Sequence, residues 1–267
     1  MEDNTRGGIS AAVLKNIAVV SMVIDHLTMG VYGTFRESGL QYLYNDDIYS
    51  VGRLIGRLAF VIYAYLIGQG SIFTSDVKKY MLRLSALAII SEVPFDLAVT
   101  GNAVDHSYQN VFFTLLLGVL AIEVYRSVDK NFVRLAIILL ILMGAFLLRT
   151  DYGAGGVALI LLLYIFRSRK KAMIFSFLFF LVLLSLCSAL KAIVFDTAGR
   201  WFAQDFTFLF WKYLSYNLQM EVAGIVALPL IFVYNGNKGR QLPKTFYYLF
   251  YPIHLLMIAV IAAYIRN

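Results

Sequence analysis

Long apolar runs, broken by short clusters of Lys, Arg, Gly and Asn, fill the chain from residue 9 to residue 265. Nine runs come near the ~20 residues needed to carry a helix across a bilayer: 9–32, 53–72, 80–99, 108–126, 132–149, 152–167, 172–195, 217–234 and 246–265. This pattern predicts an all-α fold, a polytopic transmembrane helical bundle of about nine spans. The connections are short and contain no repeat or linker, so a single integral-membrane domain over 1–267 is expected. The sixth run is short and opens "DYGAGG", which predicts a tilted or re-entrant element. The stretch 200–216, "RWFAQDFTFLFWKYLSY", is aromatic and bracketed by Arg200 and Lys212. Trp and Tyr favour the headgroup region, so this stretch is expected at the interface. The first run lacks a small-residue cleavage pattern and is read as a retained helix rather than a signal peptide.

Composition narrows the class. The chain is 60% hydrophobic and 15% charged, with a mean hydropathy of +0.75, values that exclude an ordinary soluble domain. The net charge of +7 would suit a nucleic-acid binder if it were gathered on one face, but the cations sit between apolar runs. Of 23 basic residues, 15 fall on the N-terminal side of the alternating connections, including Lys15, Lys78, Lys79, Arg126, Arg134, Arg167, Lys170, Lys238 and Arg240. The positive-inside rule then predicts a cytoplasmic N-terminus and, with nine spans, an external C-terminus, with membrane lipids as partners and no nucleic acid. Cys187 is the sole cysteine, which rules out a disulfide within the chain. The sequence contains no phosphate-binding loop, GxSxG, HExxH or Cys/His ligand cluster, so no metal is expected.

Several ionisable residues interrupt the runs. Asp25 and His26 are adjacent in "IAVVSMVIDHLTMG", although a charge at the bilayer centre costs about 2.5–3.5 kcal/mol on insertion scales. Neighbours on a helix point about 100° apart, so the two serve different partners. Either Asp25 holds helices together by pairing with an arginine, or His26 transfers protons in a water-accessible cavity. Lys15 lies eleven positions before His26, on nearly the same helix face and about 16 Å away. In "GRLIGRLAF", Arg53 and Arg57 share a face with Gly52 and Gly56, a small-xxx-small surface. "SEVPFD" places Glu92 and Asp96 four apart around Pro94, and Asn110 and Thr114 share a face of the fourth span. An ion-pair network or an active-site wall would account for this gathering equally well. "YNGNKGR", residues 234–240, reads as a turn. Its glycines would also expose N–H groups beside Lys238 and Arg240, which suits a phosphate. His254, in "FYPIHLL", is either a second polar site or a hydrogen-bonded packing histidine.

Taken in order, "LKNIAVVSMVIDH", "GRLIGRLAF", "LRLSALAIISEVPFD", "NVFFTLLLG", "DYGAGG", "YNGNKGR" and "FYYLFYPIHLL" resemble the TraX family, from about residue 10 onward. These are bacterial integral-membrane proteins named for the enzyme that acetylates the N-terminus of F-pilin. The family is similar in turn to transmembrane acyltransferases such as the lysosomal heparan glucosaminide acetyltransferase and the bacterial polysaccharide O-acetyltransferases. Those O-acetyltransferases separate a basic residue from a histidine by ten positions in the first span, a spacing that Lys15 and His26 match. The chain departs from the family at Val61, where a proline is usual, and at Gln69, where an acid is usual. The resemblance implies an acetyltransferase of the bacterial cytoplasmic membrane that takes acetyl-CoA from the cytoplasm and acetylates an amine or hydroxyl of a peptide, glycan or small molecule. It implies catalysis by His26 with Asp25, and an acceptor or oxyanion site from Arg53, Arg57, Glu92, Asp96 and Asn110. Donor contacts would come from Lys15, Asn235, Lys238, Arg240 and His254. A proton-coupled transporter would use the same intramembrane acids and histidines, but it predicts internal symmetry that the chain lacks. A scaffold subunit would use them only as helix glue.

Overall fold

The computed structural model describes residues 7–36, 38–192 and 206–266. The described residues form α-helices joined by short turns, with two isolated β-bridges and no strand. The helices are α1 (Ala11–Gly30), α2 (Asp46–Phe73), α3 (Val77–Val99), α4 (Val111–Ser127), α5 (Asn131–Leu147), α6 (Gly153–Ile165), α7 (Lys170–Lys191), α8 (Phe206–Glu221), α9 (Ala227–Phe232) and α10 (Lys244–Arg266). Among the described residues, five segments are long and apolar enough to cross a membrane: Ala11–Arg36, Asp46–Phe73, Lys170–Lys191, Thr207–Phe232 and Thr245–Arg266. The chain is an integral membrane protein.

The eighth segment corrects the expectation of an interfacial stretch followed by a span from 217. Here α8, a 3-10 turn over Val222–Val226 and α9 follow without a break, so the helical segment starts at 206. Arg200 lies outside the described residues. α6 is the short element expected at "DYGAGG". Its 13 residues span only about 20 Å, less than the ~30 Å hydrocarbon layer. Nearly every side chain of α6 is buried, Val157, Leu159, Ile160 and Leu163 completely.

The contacts divide the chain into two compact units. One comprises Met1–Leu66, Ile90–Asp105 and Ala223–Asn267, the other Ile67–Ile89 and His106–Val222. The second is built on α6, which packs against α4, α5 and α7. Its turn before α6 is tied down where Gln109 bonds with the backbone of 149–151, Gln109 N–H to the Arg149 carbonyl at 3.2 Å and Asp151 N–H to the Gln109 carbonyl at 2.8 Å.

The first unit contains α1, α10, the first part of α2 and the last part of α3. Ser10 caps α1 by accepting from the Val13 N–H at 3.4 Å, a favoured N-cap arrangement. Val13, Val20 and Leu27, seven apart, are exposed along one stripe, while Leu14, Ala18, Met22 and Asp25 are buried on another. The helix therefore shows one face to lipid and one to its neighbours. Lys15 lies over Tyr247, His26 against His254 and Gly30 against Ile258, so α1 and α10 run parallel. Two parallel spans require an odd number of crossings between them.

Candidate active site

Five ionisable residues of the first unit meet where α1 packs on α2 and α10: Asp25, His26, Arg53, Arg57 and His254. On α2 the four-residue spacing turns Arg53 and Arg57 to one side, and α1 presents Asp25 to both. Arg57 Nη2 donates to both Asp25 oxygens, at 2.9 and 3.0 Å. Arg53 Nη1 approaches Oδ1 at 2.9 Å at an angle that makes an ion pair but no hydrogen bond. The helices come this close because Gly52 and Gly56 lack side chains. A Cβ on Gly56 would overlap the Asp25 Cβ, and one on Gly52 would overlap Thr28 Oγ1. The small-xxx-small surface read from "GRLIGRLAF" is the seat of α1.

His26 faces a different partner, as the 100° separation requires. Its Nδ1 lies 2.7 Å from His254 Nε2, and His254 Nδ1 lies 2.8 Å from the Phe250 carbonyl. The two imidazoles are nearly parallel, 12° apart with centroids separated by 5.0 Å. Tyr251 sets its ring edge-on to both, and Phe250 stacks on His254. His26 is half-buried and His254 buried, and the residue before His26, Asp25, holds both guanidiniums of α2. The arrangement supplies an imidazole held in one orientation beside cations that could stabilise a developing negative charge.

The grouping of His254 with Lys15, Lys238 and Arg240 is therefore corrected: His254 belongs with His26. Its depth depends on where α10 begins. A start at Lys244 puts it about 15 Å along the helix, well inside the span.

Lys15 marks the other end of the seam between α1 and α10. Its Nζ donates to Gln241 Oε1 at 2.9 Å and lies 5.3 Å from the Tyr247 ring centroid. The loop containing "YNGNKGR" wraps over the start of α1, where the first N–H groups of a helix have no partner within it. The Asn237 carbonyl accepts from Ala11 N–H at 2.8 Å, and the Lys238 carbonyl from Ala12 N–H at 3.0 Å. The Asn235 N–H donates to the Ile9 carbonyl at 3.0 Å, and Asn235 Oδ1 accepts from the Asn237 N–H at 3.0 Å. The loop is the turn expected from the sequence: its carbonyls cap α1, and Asn235 holds it. The exposed cations Lys238 and Arg240, with Lys15, remain at that end.

Of the other expected acceptor-site residues, Glu92 and Asp96 lie on α3 in the first unit and Asn110 in the second. Asp96 is buried, and its Oδ2 accepts from the Asp105 N–H at 2.8 Å, organising the turn after α3. Glu92 is half-buried one helical turn earlier on α3. Asn110 belongs to the second unit. It caps α4 by accepting from the Phe112 N–H at 3.0 Å and donates to the Ala88 carbonyl at 2.8 Å, so it has a structural task there. The sequence reading missed Gln241, Tyr247 and Tyr251. The last two share a face of α10 with His254 at the i, i+4, i+7 spacing, a signal that helical periodicity offers.

The TraX protein family model matches residues 10–262. The chain is similar to the "Probable fimbrial assembly protein FimC, serogroup H1" of Dichelobacter nodosus, with 26% identity over 259 residues, covering 93% of this chain and 94% of that protein. No solved structure matches it. The chain is a member of the TraX family.

Proposed function

We propose that this protein is an acetyltransferase of the bacterial cytoplasmic membrane. In this reading it moves the acetyl group of cytoplasmic acetyl-CoA to an amine or hydroxyl on a membrane-associated or extracytoplasmic acceptor. The observation that carries the reading is the His26 imidazole, oriented by His254 inside an ion-paired helix cluster of a TraX-family membrane protein. The related protein's name connects it with fimbrial assembly, so subunits of a surface fibre are among the acceptors to test.

The polar residues divide the work along α1. Lys15, Lys238 and Arg240 gather at the end that the positive-inside rule assigns to the cytoplasm, where cations suit the phosphates of the donor. The thioester then has to reach His26, about 16 Å along an unbroken helix. His26 takes the proton from the acceptor, and Arg53 or Arg57 stabilises the oxyanion of the tetrahedral intermediate. Asp25 keeps both guanidiniums in place.

Acetyl-CoA binding to detergent-purified parent, Lys15→Ala and His26→Ala proteins, followed by calorimetry, tests the reading. Saturable binding to the parent and to His26→Ala is expected, with weakened binding to Lys15→Ala. Radiolabelled acetyl transfer into a cell-envelope fraction should fall by about 10²–10⁴-fold in His26→Ala. Absence of saturable binding to the parent would overturn the assignment. Proton-driven uptake without any recognition of CoA would favour a transporter.

A further inference from the structure

We infer that His254 is a positioning residue for His26: it selects the His26 tautomer whose Nε2 is the basic atom. The inference rests on His26 being the general base of the proposed reaction, but the tautomer can be observed without any turnover.

The hydrogen-bond chain leaves little choice. A carbonyl oxygen only accepts, so the 2.8 Å contact to the Phe250 carbonyl requires a proton on His254 Nδ1. Neutral His254 then carries a lone pair on Nε2. The 2.7 Å contact to His26 Nδ1 requires a proton on that nitrogen, and neutral His26 is left with its lone pair on Nε2. The task resembles that of a carboxylate that orients a catalytic imidazole through its Nδ1–H. Asp25, the nearest carboxylate in sequence, is occupied by two arginines. Packing holds both rings in this relation, because Tyr251 stands edge-on to each and Phe250 covers His254.

The step balances without another reactant. The acceptor's nitrogen or oxygen attacks the thioester carbonyl carbon while its proton passes to His26 Nε2. The Nδ1 proton of His26 is then free to shift onto His254 Nε2, so that one positive charge is shared by two rings instead of resting on one in a poorly solvated site. When the C–S bond breaks, the CoA thiolate leaves with its electron pair. The proton returns through His26 Nε2 to the sulfur, and the acetyl group and the proton have exchanged places.

The test uses full-length protein with 15N-labelled histidine rings in detergent, comparing the parent with His254→Ala and His254→Gln. Two-bond ring correlations should show His26 of the parent protonated at Nδ1 alone. His254→Gln should keep that pattern, because a glutamine oxygen can accept at the Nε2 position, whereas His254→Ala should give mixed tautomers. Transfer of radiolabelled acetyl from acetyl-CoA should drop about 10²-fold in His254→Ala, with unchanged donor affinity and partial recovery in His254→Gln. A parent His26 protonated at Nε2, or one whose tautomer is unchanged in His254→Ala, would overturn the inference. So would His254→Ala transferring acetyl as fast as the parent. A parent that shows the Nδ1–H pattern lost in His254→Ala but never transfers acetyl would uphold the positioning role and refute the proposed reaction instead.

Discussion

The two compact units differ in the kind of buried polar contact that ties their helices together. In the unit built on α6, three buried serines turn back on their own helices, Ser71 donating to the Ile67 carbonyl, Ser176 to that of Ala172 and Ser185 to that of Leu181, and a buried contact between two of its helices, Asn217 with Ser185, is neutral. The serine bonds form wherever the helix forms and say nothing about its neighbours. In the other unit the polar partners sit on different helices: Asp25 of α1 with Arg53 and Arg57 of α2, and His26 of α1 with His254 of α10. These contacts exist in only one relative placement of the helices. Ionisable groups in a bilayer are expensive unless paired or functional, and among the described residues the cross-helix ionic cluster lies in the unit that carries the imidazole pair.

Removing the shared carboxylate tests this contrast most severely. Asp25→Ala strands two guanidiniums among helices, at an expected cost of about 3–5 kcal/mol. It should lower the melting temperature of detergent-purified protein more than Gly56→Ala, Asn217→Ala or Asp76→Asn. Melting equal to the parent's would mean that the ionic cluster does not hold α1 to α2. Gly56→Ala approaches the same contact from the other side. Its new methyl would run into the Asp25 Cβ, a backbone-proximal atom that cannot swing away, so α1 must shift. Overpacking of this kind costs about 1–3 kcal/mol. Because the shift separates Asp25 from Arg57, acetyl transfer should fall with stability.

What can be read from the sequence follows the same division. Charges in apolar runs are conspicuous because burying them costs so much, and the chain alone offers Asp25, Glu92 and Asp96 as partners for the i, i+4 arginines, of which Asp25 pairs with both. The separation of 228 positions between His26 and His254 carries no local rule that would join them. A lysine near the end of a span suggests a phosphate ligand, but the partner that Lys15 finds, Gln241, is an uncharged loop residue and gives no signal. The sequence pattern starts the eighth helix too late because aromatic residues suit both a headgroup belt and a lipid-facing stripe. Phe208 and Trp211 are exposed on α8, and exposure to lipid leaves the same composition as exposure to the interface.

A milder test lies in the α6 unit. Asn217 Nδ2 donates to Ser185 Oγ at 3.1 Å, a neutral contact between α8 and α7. Asn217→Ala removes one interhelical hydrogen bond and leaves Ser185 its own Leu181 carbonyl, so the loss should be about 1 kcal/mol. Thermal melting beside Asp25→Ala gives the contrast directly. If Asn217→Ala were the more damaging, the ionic unit would not be the more demanding of the two.

The smallest effect is expected where a charge stands in water. Asp76, in the turn before α3, accepts from the Lys79 N–H at 2.9 Å and pairs with Lys79 Nζ at 3.2 Å. The Lys79 backbone N–H, followed by the Lys79 ammonium, holds its carboxyl below the ordinary value of 3.8. A depressed folded-state value means that the carboxylate stabilises the protein above the unfolded value and loses that contribution as pH falls through the folded one. Between about pH 5 and pH 3 the parent should therefore lose slightly more melting temperature than Asp76→Asn, which keeps an N-cap oxygen but has no charge to lose. The difference should shrink in high salt, since exposed pairs are screened. Near-neutral pH should show Asp76→Asn melting within a degree or so of the parent, the usual scale for an exposed pair. Asp25→Ala, the same kind of charge removed from between helices, should stand far below both. A large loss from Asp76→Asn would mean that solvent exposure, the basis of the contrast, does not govern what a carboxylate contributes in this protein.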